Sequence, residues 1–235
     1  MRDENDGLHA RRALLKNGLV LAGALAVPGA VAAAAERRAR PLTSADLRPV
    51  VPPPNPRATV AAVTSPRVVR PELMRRALAA LDKHGSRLKR DRMAIVDFGA
   101  KSAEARFHFI DLASGRSTSA RVSHGSGSDP RHTGWLQRFS NVHGSNATSD
   151  GAYATADYYH GKHGKSQRLH GLDPSNSNAL ARAIVIHGAW YANPEVLRAR
   201  GVLGRSQGCF AFAEAELASV FERLGPDRLI YAAKV

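Results

Sequence analysis

The sequence predicts a mainly β fold of the β-rich α+β class, in which strands outnumber a few short helices. Short apolar or alternating runs recur after residue 90, and Gly- and Ser-bearing turns separate them, which is typical of a meander of strands. Helical spacing of apolar residues is confined to three short windows, at 71–84, 193–200 and 213–224. No internal repeat is visible in the sequence.

The predicted elements follow one another in the C-terminal two-thirds of the chain. A helix begins at Pro71, which suits a first helical turn, and Gly85 is expected to cap its end. Strands are expected at the runs 93–96, 107–110, 116–122, 152–158, 183–186 and 229–231. The windows 193–200 and 213–224 are expected to be helical.

Residues 1–35 have the pattern of an export signal. The pair Arg11-Arg12 precedes an apolar run at 18–27, and an alanine tract ends at Ala35. The run is too short to span about 30 Å of hydrocarbon comfortably. The paired arginines favour a twin-arginine signal over an ordinary secretory signal or an uncleaved anchor helix. We therefore expect an exported protein, periplasmic or associated with the cell wall, that meets the membrane only during export.

A proline-rich segment, residues 36–70, separates this signal from the expected catalytic domain at 71–235. Prolines at this density favour an extended, semi-rigid linker, or a segment that wraps the domain surface. Seven of them occur there: Pro41, Pro49, Pro52, Pro53, Pro54, Pro56 and Pro66.

Charge and cysteine content limit the classes of function. The formal net charge of +14 favours polyanionic surroundings, such as nucleic acid, anionic lipid or acidic wall polymers, unless it only solvates the surface. The export signal argues against nucleic acid. The chain has one cysteine, which excludes a disulfide within the chain and a zinc site built on several cysteines.

A cysteine and a histidine near the C-terminus form the candidate catalytic pair. His187 follows the apolar run 184–186, and Gly188 after it allows a turn or the close approach of a substrate. Cys209 lies 22 residues after His187 (209 − 187) and directly follows Gly208. A thiol attacks acyl carbon as thiolate, an imidazole can take its proton, and N–H groups of a Gly-rich turn can stabilise an oxyanion. A lone cysteine is otherwise a small buried hydrophobe.

Several ordered blocks resemble the L,D-transpeptidase catalytic domain, also called the YkuD-like domain. The signature-like part is His187-Gly188 followed by Gly204-Arg205-Ser206-Gln207-Gly208-Cys209. The resemblance extends over roughly residues 90–215, with further blocks at 122–125, 139–141, 159–164, 168–172 and 182–188.

This resemblance implies a β-sandwich-like fold, a wall-facing location and acyl transfer on peptidoglycan stem peptides without a cofactor. Cys209 would attack an L,D peptide bond next to a terminal D-amino acid and form a thioester, with His187 as base. Ser206 and Arg205 would shape the turn and hold a substrate carboxylate, and the N–H groups of Gly208 and Cys209 would be oxyanion donors. Alternatives are an L,D-carboxypeptidase that uses water as acceptor, and a non-catalytic wall-binding module.

One residue departs from the commoner branch of that family, which has histidine immediately before the Gly-Cys pair. Gln207 stands there and cannot act as an acid or a base. His124, in the block 122–125, is the expected replacement. We therefore expect Arg205, His124, Gly188 and Gln207 to line the substrate site.

A zinc peptidase is the rival enzyme class, because histidines are frequent. The sequence contains no His-Glu-x-x-His motif, and acidic residues are sparse around the histidines, so no metal site is expected. His160 and His163 are predicted to lie in a loop. Polar loop and surface packing is the interpretation for His84, His132 and His143.

Overall fold

Eight strands and three short helices make up residues 68–235, the part of the chain that the structure, a computed structural model, describes. The helices are α1 (Pro71–His84), α2 (Pro194–Arg200) and α3 (Leu217–Leu224). The strands are β1 (Arg92–Asp97), β2 (Phe107–Asp111), β3 (Ser117–Ala120), β4 (Gly151–Gly161), β5 (Gly164–Gly171), β6 (Val185–Gly188), β7 (Phe210–Phe212) and β8 (Leu229–Ala233).

All eight strands belong to one mixed sheet in the order β3-β2-β1-β8-β4-β5-β6-β7. The pairs β1–β8 and β6–β7 are parallel, and the other pairs are antiparallel. The sheet curls over itself, since Phe107 on β2 contacts Phe212 on the far strand β7 with ring centroids 4.9 Å apart. Beyond β3, the Ser123 N–H donates to the Ala211 carbonyl of β7 (2.9 Å). This arrangement confirms the predicted β-rich fold class.

Strand β1 is buried on both faces because successive side chains point to opposite sides. Ala94 and Val96 face the aromatic core inside the curled sheet, which α3 also covers. Met93 and Ile95 face the other way, against the apolar side of α1. The period-2 burial of β1 therefore holds the two hydrophobic clusters back to back.

Most predicted elements occur, with differences at their ends. Helix α1 begins at Pro71 and Gly85 is its C-cap, both as predicted, although Gly85 has φ −60° and opens a 3-10 turn. The predicted strand 183–186 starts two residues later, because Ala183 has φ +54°, and its end includes His187. Strand β5 was missed, since its polar and Gly-bearing sequence does not alternate clearly.

The predicted export signal, and the predicted linker up to residue 67, lie outside the described residues. The last linker residues already belong to the packed domain. Val69 is buried in the cluster under α1, and Arg70 donates to the Asp97 carboxylate through Nε (2.8 Å). Among residues 68–235, no helix has the length and apolar character needed to cross a membrane.

Candidate active site

The parallel pairing of β6 with β7 makes His187 and Cys209 neighbours. In this register Ile186 lies beside Phe210 and His187 beside Ala211. Cys209, which directly precedes β7, therefore lies next to Val185. Ile186 and Phe210 face the core. Because side chains alternate along a strand, His187 and Cys209 both point away from that core and lie diagonally across the two strands.

A cavity of about 550 Å³ opens in front of these two residues. Its wall also contains Arg205, Ser206 and Gln207 from the turn before β7. The tip of the β4–β5 hairpin contributes Tyr159, Lys162 and His163, and His143, Arg182 and Tyr191 complete much of the remaining wall. All charged side chains other than histidine in this wall are cationic, so the cavity suits an anionic ligand.

The turn that carries Cys209 is held by buried hydrogen bonds. The Ser206 hydroxyl donates to the Cys209 carbonyl (2.7 Å) and accepts from the Gly208 N–H (3.1 Å). Thr148 Oγ1 donates to the Gly208 carbonyl (3.1 Å). Gly208 has φ +116°, and a Cβ there would lie 2.7 Å from the Ala147 carbonyl oxygen. Glycine is therefore required at position 208.

The block 122–125 supports this turn through its backbone. The His124 carbonyl accepts from the Ser206 N–H (2.9 Å), and the Gly125 N–H donates to Thr148 Oγ1 (2.9 Å). A Cβ on Gly125 would lie 2.8 Å from the Gly208 nitrogen. The block thus packs directly behind the candidate nucleophile.

The hydrogen bond of the His187 ring determines its tautomer. His187 Nδ1 lies 2.9 Å from the Gly188 carbonyl oxygen, which can only accept, so Nδ1 carries the proton and Nε2 keeps its lone pair. Burial lowers the pKa of His187 to about 4, against a weaker opposite effect of the Gly188 carbonyl. The imidazole is therefore uncharged at neutral pH and available as a base.

The Cys209 thiol is protonated in the same range. Its Sγ donates to the Ala183 carbonyl at 3.4 Å, and burial raises its pKa, while the Val185 N–H and the charge of Lys162 act in the opposite direction. Within residues 68–235 no hydrogen bond joins this thiol to the imidazole of His187. Direct proton transfer between the two groups stays a prediction.

His124 does not reach the cavity, contrary to the expectation that it replaces an imidazole at Gln207. Its ring is 1% exposed, with Nδ1 2.7 Å from an Arg106 guanidinium nitrogen and Nε2 3.4 Å from an Asp129 carboxylate oxygen. Burial, followed by the charge of Arg106, lowers the pKa of His124 to about 3. The ring is an uncharged part of a buried polar network.

Two other expectations also need correction. Gly188 is not part of the cavity wall, since the position of its Cβ would face Glu214 and Leu217, and its contribution is the carbonyl that binds His187. The Gly208 N–H already donates to Ser206, so it is not free as an oxyanion donor.

Arg205 and Gln207 line the cavity, and their part in substrate binding stays a prediction. Arg205 Nη1 donates to the Asp129 and Pro130 carbonyls, which anchors its guanidinium at the wall. Gln207 is exposed at the rim. In the part of the chain that the structure describes, no group of three or more His, Cys, Asp or Glu side chains is placed to hold a metal ion.

Sequence reasoning missed the imidazole that stands closest to His187. His163 stacks on the His187 ring, with centroids 4.2 Å apart and planes at 21°. The predicted loop position of His163 is confirmed, since it lies in the β4–β5 turn. Its block at 159–164 is among those that resemble the family, and this is the available signal of its importance. His143, interpreted as surface packing, also lines the cavity.

Several solved structures are similar to this chain. A search of curated proteins finds no match. Among solved structures, an L,D-transpeptidase from Mycobacterium smegmatis is similar, with 11% identity and a TM-score of 0.38 over 61% of this chain and 58% of that chain. The helical cell shape determining protein Pgp2 from Campylobacter jejuni has 14% identity and a TM-score of 0.41, over 71% and 57% of the two chains. The chain spans less than three-fifths of the length of those two structures.

The family is established by the sequence comparison. The family model of the L,D-transpeptidase catalytic domain matches residues 66–233, which is well over half of the chain and contains every residue of the cavity wall. The protein therefore belongs to the family of L,D-transpeptidase catalytic domains.

Proposed function

We propose that the protein is a cysteine acyltransferase that acts on peptidoglycan stem peptides, as an L,D-transpeptidase. The observation that carries this proposal is the β6–β7 register, which sets Cys209 and His187 diagonally on one wall of the cavity. Membership of the L,D-transpeptidase family supports the substrate class.

The protonation states of the pair favour general-base attack over a preformed thiolate–imidazolium pair. As Cys209 Sγ forms its bond to the acyl carbon, His187 Nε2 takes the thiol proton, and the carbonyl becomes a tetrahedral oxyanion. The imidazolium then returns its proton to the amine of the departing D-amino acid, and a thioester remains. An acceptor amine then attacks the thioester and loses a proton to His187. The C–S bond breaks, and the departing thiolate takes that proton, which restores the thiol.

The charge of the cavity supports an acidic peptide as acyl donor. Lys162, Arg182 and Arg205 line it, and a stem peptide brings free carboxylates to them. Arg182 also donates to the Ser140 carbonyl (2.7 Å), so its guanidinium is held in place beside the cavity. Carboxylate recognition would orient the scissile bond towards Sγ.

The substrate implies that the protein acts outside the cytoplasm, where the wall lies. Export by the pattern at 1–35 supports this location, and the formal charge of +14 suits a surface rich in acidic polymers.

The test is incubation of the purified chain with a stem tetrapeptide that ends in D-alanine, followed by intact-mass spectrometry. We expect release of D-alanine and a protein adduct equal to the peptide minus D-alanine, and neither with Cys209→Ala. That variant should keep its melting temperature within a few degrees, because Cys209 is only partly buried.

The products distinguish the alternatives. A cross-linked dimer of peptides indicates transpeptidation, and a free tripeptide indicates the L,D-carboxypeptidase. Peptide binding without release of D-alanine would refute an enzyme and indicate a wall-binding module. D-alanine release that survives Cys209→Ala would refute the nucleophile.

A further inference from the structure

The tip of the β4–β5 hairpin extends beyond its neighbours in the sheet. Strand β4 pairs with β8 only over residues 151–154, and β5 pairs with β6 only over residues 166–168. The hairpin continues to the Gly161–Gly164 pair and closes through Lys162-His163. Its tip, which pairs with no further strand, lies at the cavity, where Lys162 and His163 form part of the wall.

The ring of His163 covers one face of the imidazole of His187, the candidate base. The planes are nearly parallel, at 21°, and the 4.2 Å between centroids leaves no room for water on that side of His187. His163 itself is exposed on the hairpin and belongs to neither hydrophobic cluster. Its ring therefore contributes little to the core, and its main contact is the stack on His187.

We propose that His163 is a positioning residue of this active site, which acts through His187 by holding that ring in place and keeping it uncharged. The proposal goes beyond the function proposed above, whose proton transfers and bond changes use Cys209 and His187 alone. It rests on that function in one respect, the role of His187 as base.

Two physical effects connect the stack to the charge of His187. The second ring removes solvent from one face of the imidazole, and burial disfavours its protonated form. Two imidazolium ions at this separation would also repel each other, so protonation of either ring opposes protonation of the other. Both effects act in the direction of the lowered pKa of His187, in which burial is the largest cause and His163 and Lys162 contribute.

No acidic side chain in the cavity wall counters these effects. The titratable and charged groups that share the wall with His187 are Tyr159, Lys162 and His163 on the hairpin, His143, Arg182 and Tyr191, and Arg205 and Cys209 on the turn before β7. Only the Gly188 carbonyl acts to raise the pKa of His187.

The experiment follows the titration of the His187 ring by NMR in the whole protein and three variants. In His163→Ala we expect its midpoint to rise by about 1 to 1.5 pH units towards the ordinary histidine value, because solvent regains one face of the ring. His163→Phe keeps an aromatic cover and should retain at least half of the wild-type shift. His160→Ala removes a histidine of the same hairpin that lies outside the cavity wall, and should leave the midpoint unchanged.

Alkylation of Cys209 by iodoacetamide provides the second readout, and it is specific because the chain has one cysteine. If the midpoint moves from about 4 to 5.5, the uncharged fraction of His187 at pH 5, and with it the alkylation rate, falls roughly fourfold. The acid limb of the rate profile should move with the NMR midpoint.

An unchanged midpoint in His163→Ala, or an equal change in His160→Ala, would overturn the proposal. The NMR readout needs no peptide substrate, so it remains decisive if the protein releases no D-alanine. Conversely, if the midpoint shifts in His163→Ala but His187→Ala leaves the alkylation rate unchanged, the positioning role is supported and His187 is refuted as base.

Discussion

Gly208→Ala tests whether backbone geometry at the nucleophile turn determines both stability and reactivity. The φ of +116° at Gly208 lies beyond the left-handed region that other residues tolerate. An added Cβ would lie 2.7 Å from the Ala147 carbonyl oxygen and 2.7 Å from Ile184 Cδ1. Position 208 is buried, and the Ala147 oxygen belongs to the backbone, so that neighbour cannot move freely.

The expected cost is the sum of two effects. The backbone strain costs about 1–3 kcal/mol. The overlap with a packed interior adds about 1–3 kcal/mol. For a domain of this size, each kcal/mol lowers the melting temperature by about 2–4 °C, so the fall should be roughly 5–20 °C. Because Cys209 adjoins the strained residue, its alkylation rate should fall as well.

Gly115→Ala is the matched control for this variant. Gly115 also has a positive φ, +70°, but nothing lies within 4 Å of the Cβ that alanine would add. It should lose about 1 kcal/mol through strain alone. Calorimetry and urea unfolding measure both variants. If Gly208→Ala loses no more stability than Gly115→Ala, the close contact at the turn does not constrain residue 208 and the reasoning is wrong.

Two further predictions concern buried polar groups. The pKa values of His124, about 3, and His187, about 4, lie below the ordinary 6.5. Between these values and 6.5, the two histidines are protonated in the unfolded chain but not in the native state. Stability should therefore fall as pH drops from about 6.5 towards 3, by on the order of 4 kcal/mol for His124 alone, and a urea midpoint that is constant between pH 7 and 4.5 would contradict this. Thr148→Val leaves the Gly125 N–H and the Gly208 carbonyl without their hydroxyl partner and should cost about 1–3 kcal/mol in urea unfolding, whereas a loss below about 0.5 kcal/mol would show that the hydroxyl is dispensable.

The sequence alone determined the features that depend on local pattern. Alternating apolar runs predicted the β-rich class, since successive side chains of a strand point to opposite faces of the sheet. Pro71 marked the start of α1, because N–H groups in the first turn of a helix have no partner within the helix and proline has no N–H. Gly208 beside Cys209 predicted a turn, and the positive φ at Gly208 agrees with it. The ordered blocks identified the family that the sequence comparison confirms.

Only the tertiary structure decided which imidazoles share the cavity with the thiol and which of them are uncharged. His124 and His163 are both near glycines in the sequence, yet the first is enclosed beside Arg106 and the second stacks on His187. That difference depends on strand pairing, because β5 lies beside β6 in the sheet and so brings the tip of the β4–β5 hairpin to His187, and residue spacing carries no record of it. The pKa of His187 likewise follows from burial, which is a property of the packed neighbours and not of the chain around it.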